Sequence, residues 1–257
     1  MPDTPTSAPP VAPTGHRLRV CALYPDLMNI YADRGNLLVL EHRCAWRGIE
    51  FELCTSSLGE PLDADAHDIY YLGGGQDRDQ LLCAEDLIET KRDALHAAAT
   101  RDAVILGVCG GYQLLGHSYV LDEDQIPGVD LLDVRTVRED GPRLIGNVAI
   151  EVSLDGAGDG VLAGFENHGG RTYLGKQQQA LGRVLKGHGN NGHSGFEGAR
   201  AGNTIGTYLH GPLLPKNAWF ADWLIATALR LDPSEMAPLD DTLERDAYRS
   251  ARRAAGV

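Results

Sequence analysis

Missing from this chain, first, is any cysteine pair at metal-binding spacing. The five cysteines (Cys21, Cys44, Cys54, Cys83 and Cys109) include no C-x-x-C, which speaks against a zinc or iron–sulfur site and against a disulfide framework. No apolar run approaches the roughly 18 residues a membrane span needs. Residues 1–15 are rich in Pro, Ala, Thr and Ser and lack the charged and apolar regions of a signal peptide, so they read as a flexible tail of a cytoplasmic protein. Basic charge is also scarce. The net charge is −13, with no basic block beyond Arg249, Arg252 and Arg253, and such a field repels phosphate backbones, which argues against a nucleic-acid partner. Finally, there is no G-x-x-x-x-G-K-[ST] loop; Gly73-Gly74-Gly75-Gln76-Asp77 carries no lysine, so nothing points to an ATP site on this chain.

What remains is a chain of 257 residues with 23% charged residues, enough to bury a sizeable core. Strand patterns at 17–23, 51–54, 68–72 and 103–106 alternate with helical patterns at 36–46, the latter closed by Gly48, and at 77–100. That alternation predicts an α/β fold with a doubly wound, mainly parallel sheet and helices on both faces. From about Gly128, alternating segments (132–137, 144–152, 171–174, 182–186, 203–209) separated by glycine-rich turns predict antiparallel ribbons added in the C-terminal half. Helices at 217–231 and 241–253 close the chain, and residues 16–257 read as one domain.

Gly107-Val108-Cys109-Gly110-Gly111 follows a predicted strand and precedes a predicted helix. This is the thiol counterpart of the G-x-S-x-G nucleophile elbow, in which small neighbours permit a strained turn that lifts the nucleophile above the sheet. A helix N-terminus there favours thiolate over thiol. The alternative is a buried cysteine in a glycine-rich turn, the role expected of the other four. A hundred residues on, His210 leaves another predicted strand at a Gly-Pro turn, where it can serve as the base a cysteine nucleophile needs. The backbone N–H groups of Gly110 and of the run 73–75, with Gly74 at its centre, are candidate oxyanion donors. Sheets of this kind form sites outside the carboxyl ends of their strands, and the glycine run and Cys109 both fall there.

Five segments together carry a resemblance: 29–36 (Asn-Ile-Tyr-Ala-Asp-Arg-Gly-Asn), 72–78 (Leu-Gly-Gly-Gly-Gln-Asp-Arg), 107–113 (Gly-Val-Cys-Gly-Gly-Tyr-Gln), 164–173 (Gly-Phe-Glu-Asn-His-Gly-Gly-Arg-Thr-Tyr) and 206–217 (Gly-Thr-Tyr-Leu-His-Gly-Pro-Leu-Leu-Pro-Lys-Asn). The chain resembles class I glutamine amidotransferases of flavodoxin-like architecture. Within them it is most similar to the cobyric-acid-synthase-like branch and the glutaminase subunits of lipid II isoglutaminyl synthase. The resemblance implies that Cys109 is the nucleophile that forms a γ-glutamyl thioester and His210 the general base, then acid. It implies that Gln113 contacts glutamine and that Arg143 holds its α-carboxylate, a task suited to a planar donor fork. It also implies a MurT-like Mur ligase subunit as heterodimer partner, which would bring ATP and Mg²⁺, take the ammonia and amidate the D-isoglutamate α-carboxyl of lipid II; no cofactor and no metal is expected on this chain itself.

One departure stands out. Class I enzymes carry His-x-Glu, but here the residues read His210-Gly211-Pro212, so the imidazole lacks its local orienting carboxylate. A bare dyad, a remote carboxylate such as Glu166, or one from the partner chain are the options, and the partner is favoured. The segment from Glu166 to Arg171 reads equally as pocket lining or structural hairpin. The loop Gly187-His-Gly-Asn-Asn-Gly-His193 reads as a loop without metal. Three rival functions stay open: another cysteine-elbow hydrolase, an amidotransferase serving a different synthetase, and a scaffold subunit with a decayed site.

Overall fold

The computed structural model describes residues 14–30, 34–121 and 124–257. Most of the expected tail, and the Tyr-Ala-Asp of the 29–36 motif, therefore lie outside the described residues. The described chain opens with Thr14, whose amide and hydroxyl both donate to the Gly48 carbonyl. It continues into β1 (Arg17–Leu23), α1 (Arg34–Ala45), β2 (Glu50–Ser56), β3 (Ile69–Leu72), α2 (Asp77–Asp86), α3 (Arg92–Thr100), β4 (Val104–Val108) and α4 (Gly110–Leu115). The expected strands and first helix are present, and Gly48 takes the left-handed conformation (φ +68°) that ends a helix.

The single helix expected over 77–100 is interrupted. Between α2 and α3 the chain makes a π-type turn at Leu87–Lys91. The cause is a buried ammonium: Lys91, fully enclosed, donates to the Ser57 carbonyl at 3.0 Å and to Asp86, and lies over the Tyr24 ring. The wider turn rotates the helix, so Leu87 and Leu95 are buried while Leu81 and Leu82 face solvent. Uninterrupted helical spacing would place Leu81 and Leu95 within about 40° of each other, on one face.

The second half comprises β5 (Ser118–Leu121), β6 (Asp124–Pro127), β7 (Val134–Arg138), β8 (Leu144–Leu154), β9 (Gly158–His168), β10 (Gly170–Leu174), β11 (Gly182–Lys186), β12 (Phe196–Glu197), β13 (Ala199–Ala201), β14 (Thr204–Thr207), α5 (Leu213–Lys216), α6 (Ala218–Leu229) and α7 (Thr242–Ala255). The central sheet runs β13-β14-β4-β3-β1-β2. Its last five strands are parallel, and β13 is antiparallel at one edge. That is the doubly wound order expected of a flavodoxin-like sheet. Strands β3, β4 and β14 are buried along their whole length, as strands covered on both faces must be.

The antiparallel ribbons expected in the C-terminal half are present, but instead of widening the central sheet they form two four-stranded sheets, β10-β7-β5-β6 and β12-β11-β8-β9. The segment at 203–209 differs: it supplies β14, a parallel strand of the central sheet beside β4. Two backbone hydrogen bonds between Phe165 and His210, both 3.0 Å, join the long β8–β9 hairpin to the chain leaving β14. Among the described residues no helix is long and apolar enough to cross a membrane.

Candidate active site

The elbow is strained as the sequence demands. Cys109 sits at φ +53°, ψ −106°, a region non-glycine residues rarely occupy without a functional constraint. Its N–H donates to the Thr207 carbonyl of β14 at 2.8 Å, and its carbonyl accepts from Gln113 one turn into α4. The glycines beside it answer to close approach: a Cβ on Gly111 would stand 2.1 Å from the Leu72 carbonyl oxygen. Gly111 N–H is spent on the Gly73 carbonyl and α4 has only six residues, so helix polarisation of the thiol is weaker than a long helix would provide.

Because β14 runs parallel to β4 with Thr207 opposite Val108, both strands deliver their ends to the same edge of the sheet. Cys109 follows one and His210 the other. His210 is 1% exposed, and its ring packs edge-on against Phe165. Burial, then the neighbouring His168 and the positive charges of Lys216 and Arg143, push its pKa down to about 4, so the imidazole is neutral at pH 7 and able to take a proton. Lys216 is also pushed below its ordinary pKa by burial.

A cavity of about 360 Å³ opens at this edge, lined among others by Gly75, Cys109, Gln113, Arg143, Asn167 and His168. Three of the expected residues, Cys109, Gln113 and Arg143, thus meet in one space although they lie on an elbow, a helix and the segment leading into β8. His210 is not one of the lining residues. The glycine run contributes Gly75 to the wall, while the neighbouring Gly74 carbonyl accepts from Ile30 N–H. Gly110 lies against Gly75, since a Cβ there would be 2.9 Å from the Gly75 nitrogen.

Arg143 precedes β8, on the rim. Its Nε donates to Asn167 Oδ1 (2.8 Å) and its Nη2 to the Asn167 carbonyl (2.7 Å), which aims the guanidinium and leaves Nη1 for a ligand. Gln113 is buried, and its Nε2 donates to the Tyr208 hydroxyl at 3.2 Å. Glu166 is committed elsewhere: its fully buried carboxylate accepts from the His188 and Gly189 amides at 2.6 and 2.9 Å and lies 4.0 Å from His168 Nε2. The 187–193 loop is therefore folded around Glu166, and the motif from 166 to 171 is divided, with Glu166 bracing the loop and His168 lining the cavity.

Sequence reasoning passed over Tyr208, Asn167, Lys216 and Glu197. The first three lie inside motifs already singled out, next to residues that were weighed. Glu197 carries no signal at all: it sits on a two-residue strand, yet it is fully buried and accepts from Thr207 Oγ1 (3.0 Å) and the Tyr208 amide (2.6 Å). Burial pushes its pKa up to about 8.

A strained cysteine between strand and helix of a doubly wound sheet, with a histidine at the end of the adjacent strand, defines the cysteine-elbow class that includes the triad amidotransferases. Residues 19–218 match the model of the CobB/CobQ-like glutamine amidotransferase domain, and the chain belongs to that family of glutamine amidotransferases. It is 38% identical over 216 residues (84% of this chain, 82% of the relative) to the GatD subunit of lipid II isoglutaminyl synthase (glutamine-hydrolyzing) from Streptococcus pneumoniae. To the same subunit from Staphylococcus aureus it is 37% identical over 235 residues, 90% and 93% of the two chains. A cobyric acid synthase from Pelotomaculum thermopropionicum is 39% identical over 133 residues, but these are 25% of that protein. Among solved structures, that of PurLQS from Thermotoga maritima superposes with TM-score 0.57 at 20% identity, covering 85% of this chain and 98% of that one, a likeness of fold.

Proposed function

We propose that this chain is the glutaminase subunit of a lipid II isoglutaminyl synthase. It would hydrolyse glutamine and pass the ammonia to a MurT-like Mur ligase partner, which amidates the D-isoglutamate α-carboxyl of the peptidoglycan stem peptide. The observation that carries the glutaminase half is the cavity in which Cys109, Gln113 and the Arg143 fork converge. The subunit half is supported by length, because the chain spans most of both GatD relatives and a quarter of the Pelotomaculum cobyric acid synthase.

In this reading Arg143 Nη1 takes the α-carboxylate and Gln113 a second polar group of the substrate. Cys109 Sγ attacks the side-chain amide carbon, its proton passing to His210. N–H groups of Gly110 and of the Gly74–Gly75 run stabilise the developing oxyanion. As the C–N bond breaks, His210 returns the proton to the leaving ammonia. Water then attacks the γ-glutamyl thioester, giving a proton to His210, and as the C–S bond breaks that proton returns to Cys109 Sγ and glutamate is released. Ammonia is mostly protonated in neutral water and then has no lone pair for attack, so a shielded passage to the ligase is of direct use.

The third carboxylate comes, in this reading, from the partner. Glu166 is occupied by two amides, and the cations Lys216 and Arg143 act on His210, a setting that attracts an incoming carboxylate. The test is co-purification with the neighbouring Mur-ligase-like protein, followed by a glutamine-dependent amidation assay on a muramyl-peptide acceptor. The complex should amidate, and glutamine turnover should rise severalfold when the partner is added; equal turnover with and without it would remove the shared site.

A further inference from the structure

Behind the cavity wall, Gln113 ends in a chain of buried hydroxyls. Its Nε2 donates to Tyr208 Oη, which lies 2.7 Å from Thr172 Oγ1, which in turn lies 2.8 Å from Thr136 Oγ1. All four residues are buried. The two threonines face each other as registered neighbours on β10 and β7, whereas Tyr208 follows β14, so the relay ties the second sheet to the central one. The Tyr208 ring cannot swing: the His168 imidazole stacks flat on it (3.6 Å between centroids, 4°) and Tyr112 meets it edge-on (5.1 Å, 70°). Glu197 holds its amide. The Gln113 amide is confined as well, since a Cβ on Gly170 would stand 2.6 Å from its Nε2.

A primary amide presents a donor at one end and an acceptor at the other, and either end can face a ligand. With Nε2 turned back to Tyr208, the end left for the cavity is the carbonyl Oε1. Arg143 on the rim offers donors, fit for a carboxylate. An acceptor across the cavity fits the other substituent of an α-amino acid, its ammonium group. We propose that Tyr208, backed by Thr172 and Thr136, is a positioning residue that fixes the Gln113 amide with Oε1 toward the cavity, and that this makes the site select a free α-ammonium. The inference rests on the glutaminase reading above and adds the group by which the substrate is chosen. Peptidyl or N-acylated glutamine, and amides without an amino group, are then poor substrates, because a held acceptor that finds no donor is left unpaired.

The test compares glutamine with 4-carbamoylbutanoate, which keeps the amide and carboxylate but lacks the ammonium. It uses the complex of this chain with its Mur-ligase-like partner. In the wild type kcat/KM should favour glutamine strongly. Tyr208→Phe should cut that preference about tenfold, the amount a hydrogen bond to a charged group supports. The loss should fall on the KM for glutamine, leaving kcat and both constants for the analogue within about twofold. Thr172→Val should act in the same direction more weakly, and Thr172→Ser should restore the preference; the threonine pair carries the test if Tyr208→Phe does not fold. An unchanged preference, or an equal loss on both substrates, overturns the positioning role. Wild-type complex that leaves glutamine untouched would instead overturn the glutaminase reading and this inference with it.

Discussion

Two polar clusters in this molecule are built on opposite plans. Between α1, α6 and the start of α7, the buried guanidinium of Arg43 binds Asp222 and Asp241, while Arg47 binds Asp222 and the Ala237 carbonyl. Each charge there meets its opposite, and the two aspartates hold the Arg43 pKa above its ordinary value although burial opposes them. At the carboxyl edge of the sheet the pairing is looser: Lys216 and Arg143 bear on a neutral His210, while the Glu166 carboxylate is spent on two loop amides. A cluster that satisfies itself fixes helices in place. One that sets cationic side chains beside an open cavity favours the arrival of an anion.

The widest separation between the clusters should come from the thiol. Cys109→Ser should lower glutamine turnover by about 10⁴-fold or more and abolish labelling by 6-diazo-5-oxo-norleucine. Cys44→Ser should leave both unchanged, because burial pushes that thiol up to about 12 and takes it out of chemistry. Labelling that persists in Cys109→Ser would sink the assignment of the nucleophile. Next in size, Arg43→Met should cost about 3 kcal/mol of stability in denaturant unfolding by stranding Asp241 and leaving Asp222 to Arg47 alone, with KM for glutamine unaffected. Arg143→Ala should do the reverse: KM should rise by about 10²-fold while the unfolding midpoint stays put, because this side chain is exposed.

A smaller effect should appear in pH profiles. With His210 pushed down to about 4, the isolated chain should keep its base unprotonated through the mildly acidic range. A carboxylate brought by the partner favours the imidazolium, so the acid limb attributable to His210 should move to higher pH in the complex. An identical limb in both would argue against the shared triad. The last effect concerns Glu197. Its folded-state pKa of about 8 lies above the ordinary 4.5, so between those values the folded state holds a proton that the unfolded state has released. Stability therefore falls as pH rises through that window, by up to about 1.4 kcal/mol per unit. Glu197→Gln should flatten the slope, as measured by denaturant unfolding between pH 5 and 8.

The parts of the site legible in sequence are those encoded locally. An apolar run, then Gly-Val-Cys-Gly-Gly, then a helical pattern specifies a strained turn over a few residues, and the strain is present at Cys109. His210 was readable from a strand ending at Gly-Pro. Arg143 and Gln113 became visible only through a likeness of motifs, since neither residue type is distinctive where it stands. What failed to show depends on distant pairing. The π-type turn at Leu87–Lys91 answers to Ser57 and Tyr24, and helical periodicity carries no trace of them. Glu166, an option for orienting the histidine, is taken by the amides of a loop some twenty residues later. The ribbons were readable as strands, but their gathering into two sheets of their own was not, because alternation specifies a strand's face and not its neighbour.

The order of strands and helices, the elbow and the acidic surface follow from the residues themselves, because backbone strain, burial period and net charge are properties of short stretches or of simple sums. Which end of the Gln113 amide meets the cavity, which carboxylate is spent on a loop and which glycine lines the wall were decided only when strands far apart in the chain came together. Hydrogen bonds and desolvation act between neighbours in space, and no local pattern fixes who those neighbours will be.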